Sequence, residues 1–233
     1  MHSTRRLNGV IIPGGSQHLS PGHQFYDTVA ELLRIAKEVG DAGEHWPLWG
    51  TCLGFEALAI AIAGNSSLLG GFHALNLPSP LILAGPDTAV TTRSRFLQRL
   101  PPPVRALLDA GAPLTFENHM SGVDDARIAA NPRLAEFIDV LAYADDRRGR
   151  RYVAMFEAKQ VDGARVVVQS PQHIFPPPQY PIYAVQFHPE KNPYEWAPQL
   201  AIPHSSDAIA VTHAFARFVV CRTHLHTNQH IRR

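Results

Sequence analysis

The chain has 233 residues, 45% hydrophobic and 18% charged, the composition of an ordinary folded domain rather than a disordered or fibrous one. Its 21 Lys and Arg against 20 Asp and Glu leave a formal charge of +1, which gives no electrostatic reason to expect nucleic acid or an anionic membrane as partner. No apolar run approaches the roughly 20 residues of a membrane-spanning helix, and two cysteines, Cys52 and Cys221, are too few for a disulfide framework.

Met1 to Asn8 is polar and basic without an apolar core, so it does not read as a signal peptide. Gly9-Val10-Ile11-Ile12 reads as a short buried strand closed by Pro13-Gly14-Gly15-Ser16. Phe25, Val29, Leu32, Ala36 and Val39 recur at helical spacing, predicting an amphipathic helix over 24–39 capped by Gly40. Pro47-Leu48-Trp49 is a second strand, and Phe55 to Ala63 an apolar helix ending at Gly64. This alternation predicts an α/β fold with helices on both faces of a parallel sheet. Further on, Leu81 to Ala84 suits a strand and Val104 to Leu108 a short helix after three prolines. Ile138–Tyr143 and Arg151–Phe156 suit two strands around an arginine-rich turn. Arg165 to Val168 could extend that pairing, and Pro176 to Pro178 mark an extended connection. Ala208, Val211, Phe215, Phe218 and Val219 share one face of a closing helix that includes Cys221, read as structural.

The chemistry centres on Trp49-Gly50-Thr51-Cys52-Leu53-Gly54-Phe55-Glu56, a cysteine between two glycines where a strand gives way to a helix. This is the pattern of a nucleophile elbow, whose tight turn excludes side chains on either flank. A thiol at a helix N-terminus is expected to be more acidic than a free one. The bland reading of Cys52 is a small buried hydrophobe. Against it stands Ala184-Val185-Gln186-Phe187-His188-Pro189-Glu190, a strand ending in a histidine and a carboxylate. At a spacing of two, His188 and Glu190 share a face of an extended chain, so the carboxylate can fix the imidazole as base for a thiol. Pro13-Gly14-Gly15 is either a plain turn or, with the Leu53 amide, the donors of an oxyanion hole. Two readings stay open for Glu56, helix-dipole partner or ligand of a substrate ammonium. His119, in Phe116-Glu117-Asn118-His119, is placed just past a strand end, where an isolated histidine is more often structural than catalytic. His224, His226 and His230 lie in a polar tail that suits a frayed end better than a metal site.

Asn8 to Ser16, Trp49 to Glu56, Asn118-His119 and Tyr183-Ala-Val-Gln-Phe-His-Pro-Glu-Lys-Asn-Pro-Tyr-Glu-Trp196 together resemble the γ-glutamyl hydrolases, a branch of the class I glutamine amidotransferase-like superfamily. The continuation Lys191 to Trp196 and the pair Phe55-Glu56 are the parts particular to that branch. The resemblance implies a three-layer α/β sandwich with a mostly parallel central sheet, in one domain over residues 1–233. It also implies cysteine-dependent hydrolysis of γ-linked glutamates in folylpoly-γ-glutamates, without cofactor or metal, by a vacuolar, lysosomal or extracellular protein compatible with a homodimer. By position Cys52 matches the nucleophile, His188 the base, Glu190 the third triad member and His119 a second active-site histidine. Ser16, Glu56 and Lys191 would border the pocket. Family members carry further β-α units and a signal peptide ahead of the Pro-Gly-Gly strand, which would leave this sheet with an uncovered edge. Residues 160–178 read as an inserted loop. The alternatives are a glutaminase-type amidotransferase, disfavoured by Phe55-Glu56 and Pro193-Tyr194-Glu195-Trp196, and an inactive homologue that acts by binding.

Overall fold

In the computed structural model of the chain, the residues described are 7–85, 89–160 and 180–230, with backbone alone for 89 and 224–230. Residues 165–168 and 176–178, and the expected insertion apart from its first residue, lie outside this set. The first half runs β1 (Val10–Ile12), α1 (Gln24–Asp41), β2 (Leu48–Thr51), α2 (Leu53–Ala63), β3 (Gly70–Ser79), β4 (Ile82–Leu83), α3 (Ala89–Arg93) and α4 (Pro102–Asp109). The second half runs β5 (Thr115–Gly122), α5 (Asp125–Ala129), α6 (Pro132–Phe137), β6 (Ile138–Asp145), β7 (Arg151–Ala158), β8 (Ile182–Val185), α7 (Lys191–Tyr194) and α8 (Ser206–His230).

Six strands form the central sheet in the order β1-β2-β8-β7-β6-β4. β1, β2 and β8 are mutually parallel, while the pairings β8-β7, β7-β6 and β6-β4 are antiparallel. Thus β1, β2, β8 and β6 run one way and only β7 and β4 the other. The sheet is buried on both faces because successive residues turn to opposite sides. Leu48, Ile182 and Ala184 join a core under α1, α2 and α6. Trp49, Tyr183 and Val185 join a second core under α4 and α8. These are the three layers expected. β1 is the terminal strand, and Ile11 on it is exposed. Among the described residues no helix is long and apolar enough to cross a membrane.

The differences from the sequence reading are local. The buried stripe of α1 is Tyr26, Val29, Leu33, Ala36 and Gly40, rotated from the expected one, with Phe25, Leu32 and Val39 on its margin. Gly40 does not cap the helix. It is buried within it, and Gly43 takes the positive φ beyond. Cys221 is exposed on α8 rather than packed. The backbone of α8 continues to His230, where a frayed end was expected. β3 and β5 form a separate antiparallel ribbon, and His119 lies within β5 opposite Ala74, not beyond a strand end.

Candidate active site

The C-terminal ends of the parallel strands β1, β2 and β8 come together, where open α/β sheets form their ligand sites. β1 delivers Gly14 and Gly15, β2 delivers Cys52, and β8 leads into Gln186, Phe187 and His188. Cys52 has φ 51° and ψ −106°, a conformation L residues rarely adopt, directly before the first turn of α2. The flanking glycines make this turn sterically feasible. A Cβ on Gly50 would lie 2.7 Å from the Gly54 carbonyl oxygen, and one on Gly54 would lie 2.4 Å from that of Ile12. The elbow is pinned to β8 by the Cys52 N–H, which donates to Val185 O at 2.8 Å.

Gly14 lies between the elbow and the imidazole. A Cβ built there would be 2.8 Å from His188 Cε1 and 3.4 Å from Cys52 Cβ, so both atoms lie within 3.4 Å of one point. His188 is buried, its N–H donates to Phe116 O at 2.9 Å, and its Nδ1 is 2.6 Å from Glu190 Oε1. A carboxylate there accepts a hydrogen bond from Nδ1–H, which fixes the tautomer whose bare Nε2 can accept a hydrogen. Burial pushes Glu190 upward, but the hydrogen bond and charge of His188, aided by Lys191, hold it below the usual carboxylate range.

The thiol itself departs from expectation. Burial, and after it the Glu56 carboxylate, push the Cys52 pKa up to about 12, with Glu117 and Glu190 adding to the rise. A hydrogen bond from the Leu53 N–H works in the opposite direction but is outweighed. The helix terminus therefore supplies its predicted donor without making the resting sulfur a thiolate. Desolvation and three carboxylates dominate.

Around the sulfur lies a polar cluster buried beneath the ribbon. Glu56 accepts from Gln186 Nε2 at 3.2 Å, and burial raises its pKa to about 7 against the opposing charge of His119 and the Gln186 bond. His119 is buried, with Nε2 3.1 Å from Glu117 Oε2 and Nδ1 2.7 Å from Ser121 O. Its ring meets Tyr152 edge to face at 4.8 Å. Gly15 and Ser16 are exposed at the rim, and no described residue hydrogen-bonds the Gly14 or Gly15 amide. Lys191 is half-buried and its ammonium is taken by Glu195. Among the described residues no group of three or more metal-binding side chains occurs.

Sequence reading singled out neither Glu117, Gln186, Tyr152 nor Asn192. Glu117 and Gln186 each stand two residues before a histidine already noted, and that shared-face spacing was the available signal. Asn192 is fully buried and donates to Leu114 O at 3.1 Å and Pro203 O at 2.7 Å, tying the loop after His188 to the approach of β5. Nothing local to the Lys191-Asn192-Pro193 motif points to those distant carbonyls.

Residues 2–202 match the family model described as Glutamine amidotransferase class-I. The chain is 34% identical over 214 residues to Gamma-glutamyl hydrolase 1 of Arabidopsis thaliana, which covers 92% of this chain and 54% of that protein. Identity to Gamma-glutamyl hydrolase B of Dictyostelium discoideum is 29% over 219 residues, covering 94% and 56%. For Gamma-glutamyl hydrolase of Homo sapiens it is 30% over 217 residues, covering 93% and 59%. The chain thus spans somewhat more than half the length of these relatives. Because that family model matches residues 2–202, most of its length, the chain belongs to the class I glutamine amidotransferase family.

Proposed function

We propose that the chain hydrolyses γ-glutamyl amide bonds, with folylpoly-γ-glutamates as the substrate class, through a thioester on Cys52. The observation that carries this reading is the shared neighbourhood of Cys52, Gly14 and the Glu190-held His188 at one end of the sheet. In the first step Cys52 Sγ attacks the γ-carbonyl carbon while His188 Nε2 accepts the thiol hydrogen. A thiol that rests protonated suits a base acting in concert with attack, because no buried thiolate has to be maintained beforehand. The tetrahedral oxyanion is met by the Leu53 N–H and a glycine N–H at 14 or 15. His188 then protonates the departing amine, and the C–N bond breaks to leave the thioester. Water, deprotonated by His188, attacks the thioester carbon, and the C–S bond breaks to release the γ-carboxylate and the thiol.

The names of the relatives and the features particular to their branch, Phe55-Glu56 and Lys191 to Trp196, support γ-glutamyl substrates over free glutamine. No residue is assigned to a cofactor. A vacuolar, lysosomal or extracellular setting goes with this reading and is tested by localising the protein in its own cells. The direct test is product analysis after incubation of the chain with folate pentaglutamate. Release of glutamate or shorter γ-glutamyl peptides, lost in Cys52→Ala, is expected. Turnover that persists in Cys52→Ala would sink the assignment. Turnover of free glutamine alone would transfer it to a glutaminase-type reaction, and a cooperatively folded chain with no turnover would make it a binding protein.

A further inference from the structure

The two imidazoles of the site are held in different ways. His188 has one ring nitrogen bonded to a half-exposed carboxylate and the other bonded to no described residue. His119 has both nitrogens engaged by groups whose chemistry constrains them. The Ser121 carbonyl can only accept, so Nδ1 must carry hydrogen. At Nε2 the partner is the Glu117 carboxyl, and one hydrogen lies between them. With that hydrogen on the ring the couple is an ion pair; with it on the carboxyl both groups are neutral. The His119 and Glu117 side chains are 2% and 0% exposed, so water cannot take over either contact.

We propose that Glu117 is a positioning residue which, with the Ser121 carbonyl, holds His119 hydrogenated on both ring nitrogens, so that His119 acts as a buried cation beside Glu56 and His188 alone exchanges protons with Cys52. The groups facing this couple are Glu56 from α2, Tyr152 from β7 and the Cys52 thiol at the elbow, with Asp145 and Asp146 beyond Tyr152. Gln186 is a neutral neighbour that donates to Glu56. Glu117 Oε1 and the Tyr152 hydroxyl are both buried without a well-formed hydrogen bond. Burial, followed by the Glu117 charge, pushes the Tyr152 hydroxyl above its ordinary range. The phenol therefore stays a neutral potential donor to the one free oxygen of Glu117. A cationic His119 favours the ionised form of Glu56 across the cluster, opposing the burial that drives it the other way. His119 thereby sets the charge next to the nucleophile without touching its proton.

The protonation half of this proposal stands without substrate, whereas its kinetic half rests on the hydrolase reading. Long-range ¹H–¹⁵N spectra of the labelled chain at pH 7, with His119→Gln to assign the resonances, decide the first. Both His119 nitrogens are expected to show protonated shifts, and one bare nitrogen in the unmutated chain overturns the proposal even if Glu117→Gln does not fold. In Glu117→Gln the Nε2 hydrogen is expected to be lost, and the ¹³C titration of the Glu56 carboxyl, near 7 before mutation, should move up by about one unit. An unmoved Glu56 midpoint overturns it. On folate pentaglutamate, Glu117→Gln and His119→Gln should each lower kcat about tenfold or more, with KM little changed. The double variant should be no worse than either, and Glu117→Asp should recover part of the loss. Losses that add in the double variant overturn the coupling. Absence of turnover in the unmutated chain removes only the hydrolase reading and leaves the spectra decisive.

Discussion

Gly54→Ala tests whether the elbow and the oxyanion loop are one mechanical unit. The added methyl would sit 2.4 Å from the Ile12 carbonyl oxygen and 3.0 Å from both the carbonyl carbon and Cγ2 of that residue. An aliphatic carbon meets a carbonyl oxygen at about 3.3 Å or more, so β1 and α2 must separate by roughly 0.9 Å. No side-chain rotation relieves this, because the obstacle is backbone within a strand hydrogen-bonded to β2. Overpacking of this kind costs about 1–3 kcal/mol, which for a chain of this size lowers Tm by roughly 2–12 °C. The displacement also carries Gly14 and Gly15, two and three residues beyond Ile12, away from Leu53. A shift of about 1 Å in a positioning group is worth on the order of a hundredfold in rate. Thermal unfolding and kcat/KM on folate pentaglutamate measure the two effects. Gly71→Ala is the control, since a Cβ there meets nothing within 4 Å, and it should stay within about 0.5 kcal/mol of the parent. A Gly54→Ala chain that melts and turns over like Gly71→Ala would refute the coupling of β1, α2 and the loop.

Three further outcomes follow from the same geometry. Cys52→Gly should be inactive yet more stable than Cys52→Ala by about 1 kcal/mol in denaturant titration, because only glycine relaxes at φ 51°; equal stabilities would contradict a strained elbow. Glu56→Gln should change how stability depends on pH. Burial raises the folded pKa of Glu56 to about 7, above roughly 4.3 in an unfolded chain, so the unfolded state releases this proton first. The parent therefore loses stability relative to the variant as pH rises from about 4 to about 7, by up to roughly 3 kcal/mol, and a pH-independent difference would count against the assignment. Glu190→Gln should cost about tenfold in kcat and His188→Asn about a hundredfold or more, since Glu190 is half-exposed and holds a ring already fixed by burial; a reversed order would contradict the roles.

What could be read from the residues was whatever local pattern encodes. The strand before Pro13, the elbow around Cys52 and the His188–Glu190 pair each lie within a few residues, and steric or shared-face rules decide them. The ribbon of β3 and β5 was not legible. Its strands pair across long sequence separation, β3 contains Asn76 and Pro78, and β5 carries Glu117 and His119, polar because they face the site rather than a core, with Asn118 between them accepting from the Asn76 N–H. The spacing of Glu117 and His119 puts both on one face, but without the ribbon nothing local shows what that face meets. The acidity of Cys52 was misjudged for a related reason. The helix terminus is visible in sequence, but the carboxylates that oppose it arrive from α2, β5 and the loop after β8. The end of α1 failed more simply, since Gly40 is kept by packing and the left-handed turn falls at Gly43.

The central claim, that Cys52 becomes covalently bonded to the acyl group, is tested most directly by acid-quenching the chain during turnover of folate pentaglutamate and weighing the peptide that contains Cys52. The account predicts added mass equal to the γ-glutamyl acyl fragment on that peptide, removed by hydroxylamine, with none on the peptide carrying Cys221. Turnover with the Cys52 peptide unmodified at every quench time, while products accumulate, would contradict it.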